Sequence, residues 1–220
     1  MNKPLFGVAF DIDGTIIDNN HYHFSAFVEF YKKRNRTLTK EEFIKNFNGK
    51  TNADVMKYIF GKELLPEDIK QYTDEKESIY RKIYAPHIKP VKGLLELLEN
   101  LKTQNIPMVI ATSGIPVNVE FMFRHIPIKH YFKSVINSTH ITHGKPHPEI
   151  YELAAKKLGL LSSQCVAFED SVSGITSAKA AGLKTIAIST TETNHNLKNA
   201  DLIIKDFSEV NFELIKEILL

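Results

Sequence analysis

Six short apolar runs constrain this chain more than any other feature: "LFGVAF" (5–10), "PMVIAT" (107–112), "SVI" (134–136), "CVAFED" (165–170), "KTIAI" (184–188) and "DLII" (201–204). They are continuous rather than alternating and rich in β-branched residues. A strand needs that pattern only when both faces of its sheet are covered, as in a parallel sheet with helices on each side. From about residue 90 onward these runs alternate with segments of helical spacing, such as "GLLELLENLKTQ", "HPEIYELAAKKLG" and "VSGITSAKAAG". That alternation predicts an α/β fold with a Rossmann-like parallel sheet.

The first run breaks the rhythm. No strand pattern follows it until the second run. "YHFSAFVEFYKKR", "KEEFIKNF", "TNADVMKYIFG" and "PEDIKQYTDEKESIYRKIYA" all read as helices,. "APHIKP" carries two prolines and suits a linker,. The expected organisation is an α/β core, residues 1–17 and 87–220, with an inserted α-helical cap domain at 18–86.

Composition narrows the function classes. The 220 residues are 43% hydrophobic and 25% charged, which is ordinary for a globular protein, and the net charge of +2 offers no broad field for nucleic acid,. No apolar run is long enough to span a bilayer, and the N-terminal stretch lacks the pattern of a secretory signal. The single cysteine, Cys165, lies in an apolar stretch and reads as a buried, inert thiol,. A cytoplasmic monomer without nucleic-acid or membrane partners is expected.

In open parallel sheets ligands bind beyond the carboxyl ends of the strands. The polar residues predicted there are Asp11 and Asp13 in "FDIDGT", Thr112, Ser113 and Gly114 in "ATSG", and Glu169 and Asp170 in "FEDS"; Lys145 lies in the loop "HGKPHPEIY". Like charges this close are tolerable if they hold a divalent cation, and an all-oxygen set suits Mg²⁺ bridging to a phosphate. A carboxylate can also act as nucleophile, with a second one two residues away to move a proton.

"DIDGT", "ATSG", "GKPHPEIY" and "FEDSVSGITSAKAAG" resemble, in order, the four motifs of the haloacid dehalogenase-like hydrolase superfamily. The helical insertion resembles its subclass with a small α-helical cap, which contains phosphatases and β-phosphoglucomutase. The resemblance implies that Asp11 is nucleophile and metal ligand. It makes Asp13 the acid/base, with its backbone carbonyl on Mg²⁺. Thr112 would bond the phosphoryl group and Lys145 would balance its charge; Asp170 and Glu169 would hold the metal. Gly14, Thr15, Ser113 and Gly114 fall in the phosphate-binding motifs. The superfamily's dehalogenases lack an aspartate at position 13, so phosphoryl transfer is expected, on a small phosphorylated metabolite.

Blander readings exist for each motif. Asp13-Gly14 is a common turn dipeptide, Glu169 and Asp170 could cap the following helix, and Thr112 and Ser113 could cap theirs. His140, His143 and His147 are loosely spaced in a presumed loop and read as solvated rather than as a zinc site. His23 lies ten residues after Asp13, where β-phosphoglucomutase carries a histidine near the cap hinge; a half-buried histidine is the alternative. In the cap loop "FNGKTNAD", Asn52 stands where that mutase has a phosphate-gripping arginine, with Lys50 beside it and Lys76 in a later helix. That difference, with Thr15 in place of the mutases' valine, favours hydrolysis over a mutase reaction. A receiver-like phospho-aspartate switch is the remaining alternative, and Asp13 and the cap weigh against it.

Overall fold

The computed structural model describes residues 5–47 and 51–219. Six strands form one parallel sheet: β1 (Gly7–Phe10), β2 (Met108–Ala111), β3 (Phe132–Ile136), β4 (Cys165–Glu169), β5 (Lys184–Ile188) and β6 (Leu202–Ile204). Their spatial order is β3-β2-β1-β4-β5-β6, so β1 lies between β2 and β4, where the direction of winding reverses,. The expected α/β, Rossmann-like core is therefore observed. The helices of this unit are α5 (Leu94–Thr103), α6 (Pro116–His125), α7 (Glu149–Leu158), α8 (Val172–Ala180) and α9 (Phe212–Leu219), the numbers α1 to α4 belonging to the insertion.

The two-residue period of the strands sorts their side chains. Ala9, Val109, Ala111, Cys165 and Ala167 share a buried face with Ile150, Tyr151, Ala154 and Leu158 of α7. Small residues on that face let α7 approach β1, β2 and β3 closely. The opposite face carries bulk: Phe10 stacks on Phe168 at 4.9 Å, and Phe207 packs against both. Cys165 is fully buried, its thiol donates to the Leu161 carbonyl at 3.4 Å, and burial pushes it up to about 12, as an inert thiol requires.

The chain divides into two compact units. One ends at Asp18 and resumes at Lys89; the other runs Asn19–Ile88. The second unit is helical: α1 (Asn20–Lys32), α2 (Lys40–Asn46), α3 (Asn52–Phe60) and α4 (Pro66–Tyr84). Its core is Phe27, Phe30, Tyr31, Leu38, Phe47, Val55, Met56 and Ile59. Thr39 and Thr51 cap α2 and α3 through their side chains, and Pro66 opens α4 where a missing N–H is harmless,. Among the described residues no helix is long and apolar enough to cross a membrane.

β5 and β6 are tied together by Asp201. Its Oδ2 accepts from the Thr185 N–H at 2.8 Å and from the Thr185 hydroxyl at 3.0 Å, and Lys179 and Lys184 stand 3.6 Å away. Partial burial pushes the Asp201 carboxyl up, but these donors outweigh it and hold the group below its ordinary value. A carboxyl lowered on folding adds stability above its unfolded pKa, near 3.9, and loses it as pH falls through the folded value. Asp201→Asn should therefore unfold at lower urea than the parent at pH 7, with the gap closing below about pH 4. Urea melts at both pH values check this; an unchanged gap would contradict it.

Candidate active site

The same two-residue period carries Asp11 and Glu169 onto the α7 face. Ala9 and Asp11 alternate along one strand, Ala167 and Glu169 along its neighbour, and Phe10 pairs with Phe168,. The ladder runs one step past β1, since the Asp11 N–H donates to the Phe168 carbonyl at 3.1 Å. The two carboxylates therefore sit side by side, and both are buried. Lys145 enters between them from the loop before α7. Its Nζ donates to Asp11 Oδ1 at 2.7 Å, Glu169 Oε1 at 2.5 Å and the Ala111 carbonyl at 3.2 Å. Burial alone would lower this lysine, but Asp11 and then Glu169 hold it above its ordinary value.

Glu169 accepts two further bonds on its other oxygen, from the Asp170 N–H and the Ser171 hydroxyl, both at 3.2 Å. Tyr151, fully buried on α7, donates to Oε1 at 2.6 Å. A carboxylate offers about four lone-pair sites, and these four donors fill them. Glu169 thus anchors Lys145 with its own acceptor sites filled, while Asp170 takes the Thr191 side chain as a partner.

Asp170, one residue past the end of β4, lies against the Asp13-Gly14 turn. A β-carbon on Gly14 would lie 1.9 Å from Asp170 Oδ2, so only glycine lets the Asp13-Gly14 turn approach so closely; its φ of +77° also suits glycine alone,. The turn closes with the Gly14 N–H donating to the Ile17 carbonyl at 2.7 Å. Thr15 is fully buried, and its hydroxyl has no hydrogen-bond partner. After β2, Thr112 Oγ1 accepts from the Gly114 N–H at 2.9 Å, while Ser113 is exposed. A β-carbon on Gly114 would sit 3.1 Å from Thr112 Oγ1 and 3.5 Å from Asp13 Oδ2, so the side chains of Asp13 and Thr112 both lie beside this glycine. The capping alternatives do not hold. Ser171 is the side-chain cap of α8, and α6 starts at Pro116 after Ile115, beyond Thr112 and Ser113.

Asp11, Glu169 and Asp170 each offer an oxygen within 4.8 Å of the others. Burial first, then neighbouring carboxylates, pushes Asp11 up to about 8 despite Lys145, and the same causes push Asp170 well above the usual carboxylate range. One ammonium does not balance three buried carboxylates. An all-oxygen donor set short of positive charge fits a hard divalent cation.

The cap candidates lie in the helical unit. His23 stacks on Tyr80 at 3.9 Å, and its Nδ1 is 3.4 Å from Lys76 Nζ. Lys76 and Glu77, each 3% exposed, form an ion pair at 2.5 Å. Asn19, also buried, donates to the Tyr80 hydroxyl at 2.6 Å. Asn52 is half-buried at the first turn of α3, and Lys50 lies outside the described residues. The sequence reading missed Tyr151, Ser171, Asn19, Glu77 and Tyr80. Only Ser171, placed just before a helical pattern, carried a signal that could have found it.

Gly174 tests the packing around Glu169. A β-carbon there would fall 1.9 Å from the Glu169 carboxyl carbon. Gly174→Ala should cost about 1–3 kcal/mol in a urea melt and lower turnover by displacing the anchor of Lys145. Parental stability together with parental turnover would show that Glu169 is not held in this way.

Comparisons with known proteins point to one family. The family model of the haloacid dehalogenase-like hydrolases matches residues 8–188. The crystal structure of a HAD hydrolase, family IA, variant 3, from Entamoeba histolytica HM-1:IMSS superposes with a TM-score of 0.90 at 37% identity, covering 97% of this chain and 99% of that one. The fructose-1-phosphate phosphatase of Escherichia coli is 28% identical over 86% of this chain and 98% of its own length. The β-phosphoglucomutase of Bacillus subtilis is 28% identical over 96% of this chain and 93% of its own. The chain belongs to the haloacid dehalogenase-like hydrolase family.

Proposed function

We propose that the chain is a Mg²⁺-dependent phosphatase that hydrolyses a small phosphorylated metabolite, a sugar phosphate, through an aspartyl-phosphate on Asp11. By family and relatives it is an enzyme, a hydrolase of phosphoric monoesters. The observation that carries the reading is the Lys145 ammonium between Asp11 and Glu169, in a cluster of three buried carboxylates at the strand ends.

In this reading a carboxylate oxygen of Asp11 attacks phosphorus. The bond to the ester oxygen breaks, and Asp13 protonates that oxygen as the alcohol leaves. Asp13 then takes a proton from water, whose oxygen attacks phosphorus and frees the Asp11 carboxylate. Lys145 and the Thr112 hydroxyl hold the phosphoryl oxygens, and Gly14, Thr15, Ser113 and Gly114 form the phosphate-binding loops around them. Asp11 and Asp170, with the Asp13 backbone carbonyl, would hold Mg²⁺, and Glu169 supports them through Lys145. The bound ion supplies positive charge that neutralises the phosphoryl oxygens. His23, Lys50, Asn52 and Lys76 of the cap unit select the rest of the substrate.

A mutase reaction is the second reading, favoured by the likeness to β-phosphoglucomutase over 96% of the chain. A screen over sugar phosphates separates the two. Phosphate release from several esters is expected, whereas conversion of β-glucose 1-phosphate to glucose 6-phosphate without phosphate release would mark a mutase. Asp11→Asn should lower turnover at least about 10³-fold with the melting temperature little changed. Asp13→Asn should slow both proton transfers and let phospho-enzyme accumulate, seen as added phosphate mass on the intact chain. Chelation should stop turnover and Mg²⁺ restore it; full activity in chelator would rule the metal out.

A further inference from the structure

Outside this site, a second group of ligating side chains gathers on the loop that carries Lys145. We propose that His143, His147 and Glu149 form a binding site for a zinc-class divalent cation. Their ligand atoms all lie within 4.8 Å of one another. His143 Nδ1 is already 3.1 Å from Glu149 Oε2, and the two imidazole rings are 4.5 Å apart.

The backbone builds the group. The His147 N–H donates to the Gly144 carbonyl at 3.0 Å, a turn that brings His143 and His147 to the same side. Glu149 accepts from the Thr142 and His143 N–H groups at 2.8 and 2.7 Å, one on each oxygen. Those two bonds hold it ionised, below its ordinary value, and fix its position while leaving lone pairs unused,. Ser177 of α8 donates to the His147 carbonyl at 2.6 Å and anchors the far side of the turn. Lys145, in the middle of the turn, is committed to Asp11, Glu169 and Ala111. Its ammonium therefore does not compete for Glu149.

Two imidazoles and one carboxylate suit Zn²⁺ and its borderline neighbours, not Mg²⁺ or Ca²⁺, which prefer oxygen alone. Tetrahedral zinc with bonds of about 2.0–2.2 Å needs ligand atoms roughly 3.4 Å apart. The His143–Glu149 distance already meets this. The His147 ring must move inward, which an exposed side chain can do. Its Nδ1 now accepts from the Glu149 N–H at 3.3 Å. That amide is the first of α7, an orphan donor that water satisfies when the ring leaves. For His143 to ligate through Nδ1, the ring takes the tautomer with its one proton on Nε2, and the cation takes the place of the Nδ1 proton beside Glu149,. The site closes a loop of seven residues around Lys145, so an ion there would staple the turn that presents the lysine.

The test is binding, so it does not depend on the proposed phosphatase reaction. Metal-free full-length protein is titrated with Zn²⁺ by calorimetry in excess Mg²⁺, which fills the carboxylate site. Co²⁺ absorption reports the ligand set. The parent should show one saturable Zn²⁺ site. Losing a partner of a metal ligand already costs about 10–100-fold in affinity, so the His143→Ala/His147→Ala double variant should lose at least about tenfold. Glu149→Gln, which keeps an acceptor for the loop amides, should weaken binding too, and melting curves verify that each variant is folded. No saturable Zn²⁺ binding by the parent, or equal affinity in the double variant, would overturn the site.

Discussion

The Lys145 ammonium between Asp11 and Glu169 is the interaction on which the rest of the site depends. Two carboxylates on adjacent parallel strands, in register and buried, would repel each other and resist desolvation. A cation held at 2.7 and 2.5 Å from them makes the arrangement tolerable. Breaking a buried pair of this kind leaves an uncompensated charge, which typically costs about 3–5 kcal/mol. Tyr151, Ser171 and the Asp170 amide hold Glu169, Glu169 holds Lys145, and Lys145 sets one oxygen of Asp11. In the proposed reaction the second oxygen of Asp11 is the one that attacks phosphorus.

Steric absence matters as much as contact. Gly14 lets a backbone turn lie against Asp170, and Gly174 lets the first turn of α8 lie against Glu169. Both glycines sit where a β-carbon would fall within 2 Å of a carboxylate. They crowd negative charge into a small volume and leave it short of positive charge. The proposed metal follows from that imbalance.

The helical unit solves a different problem. It buries Lys76 and Glu77 as an ion pair and links Asn19 to Tyr80 across 61 positions of sequence. Lys76 alone reads as an available cation for an anionic substrate. With Glu77 at 2.5 Å that charge is already paired within the helical unit. The loop of His143, His147 and Glu149 makes a similar point: loosely spaced histidines become a possible ligand set only when a turn and a helix start bring the glutamate to them.

The parallel sheet was legible in the sequence because a strand buried on both faces must be apolar throughout, and the six runs lie on the six strands of the sheet. The helical insertion was legible from its 3.6-residue spacing. The strand-end acids, Thr112 and Lys145 were legible as residue types in ordered motifs. Tyr151, Glu77 and Glu149 were not, because a tyrosine or glutamate on a helix reads as core or as solvated face until the partner side chain is placed. Local pattern alone determined the elements and the kinds of chemistry at their ends. Only the tertiary structure decided which carboxylate is saturated, which lysine is neutralised and which glycines must lack a β-carbon, since those depend on distances between residues far apart in the chain.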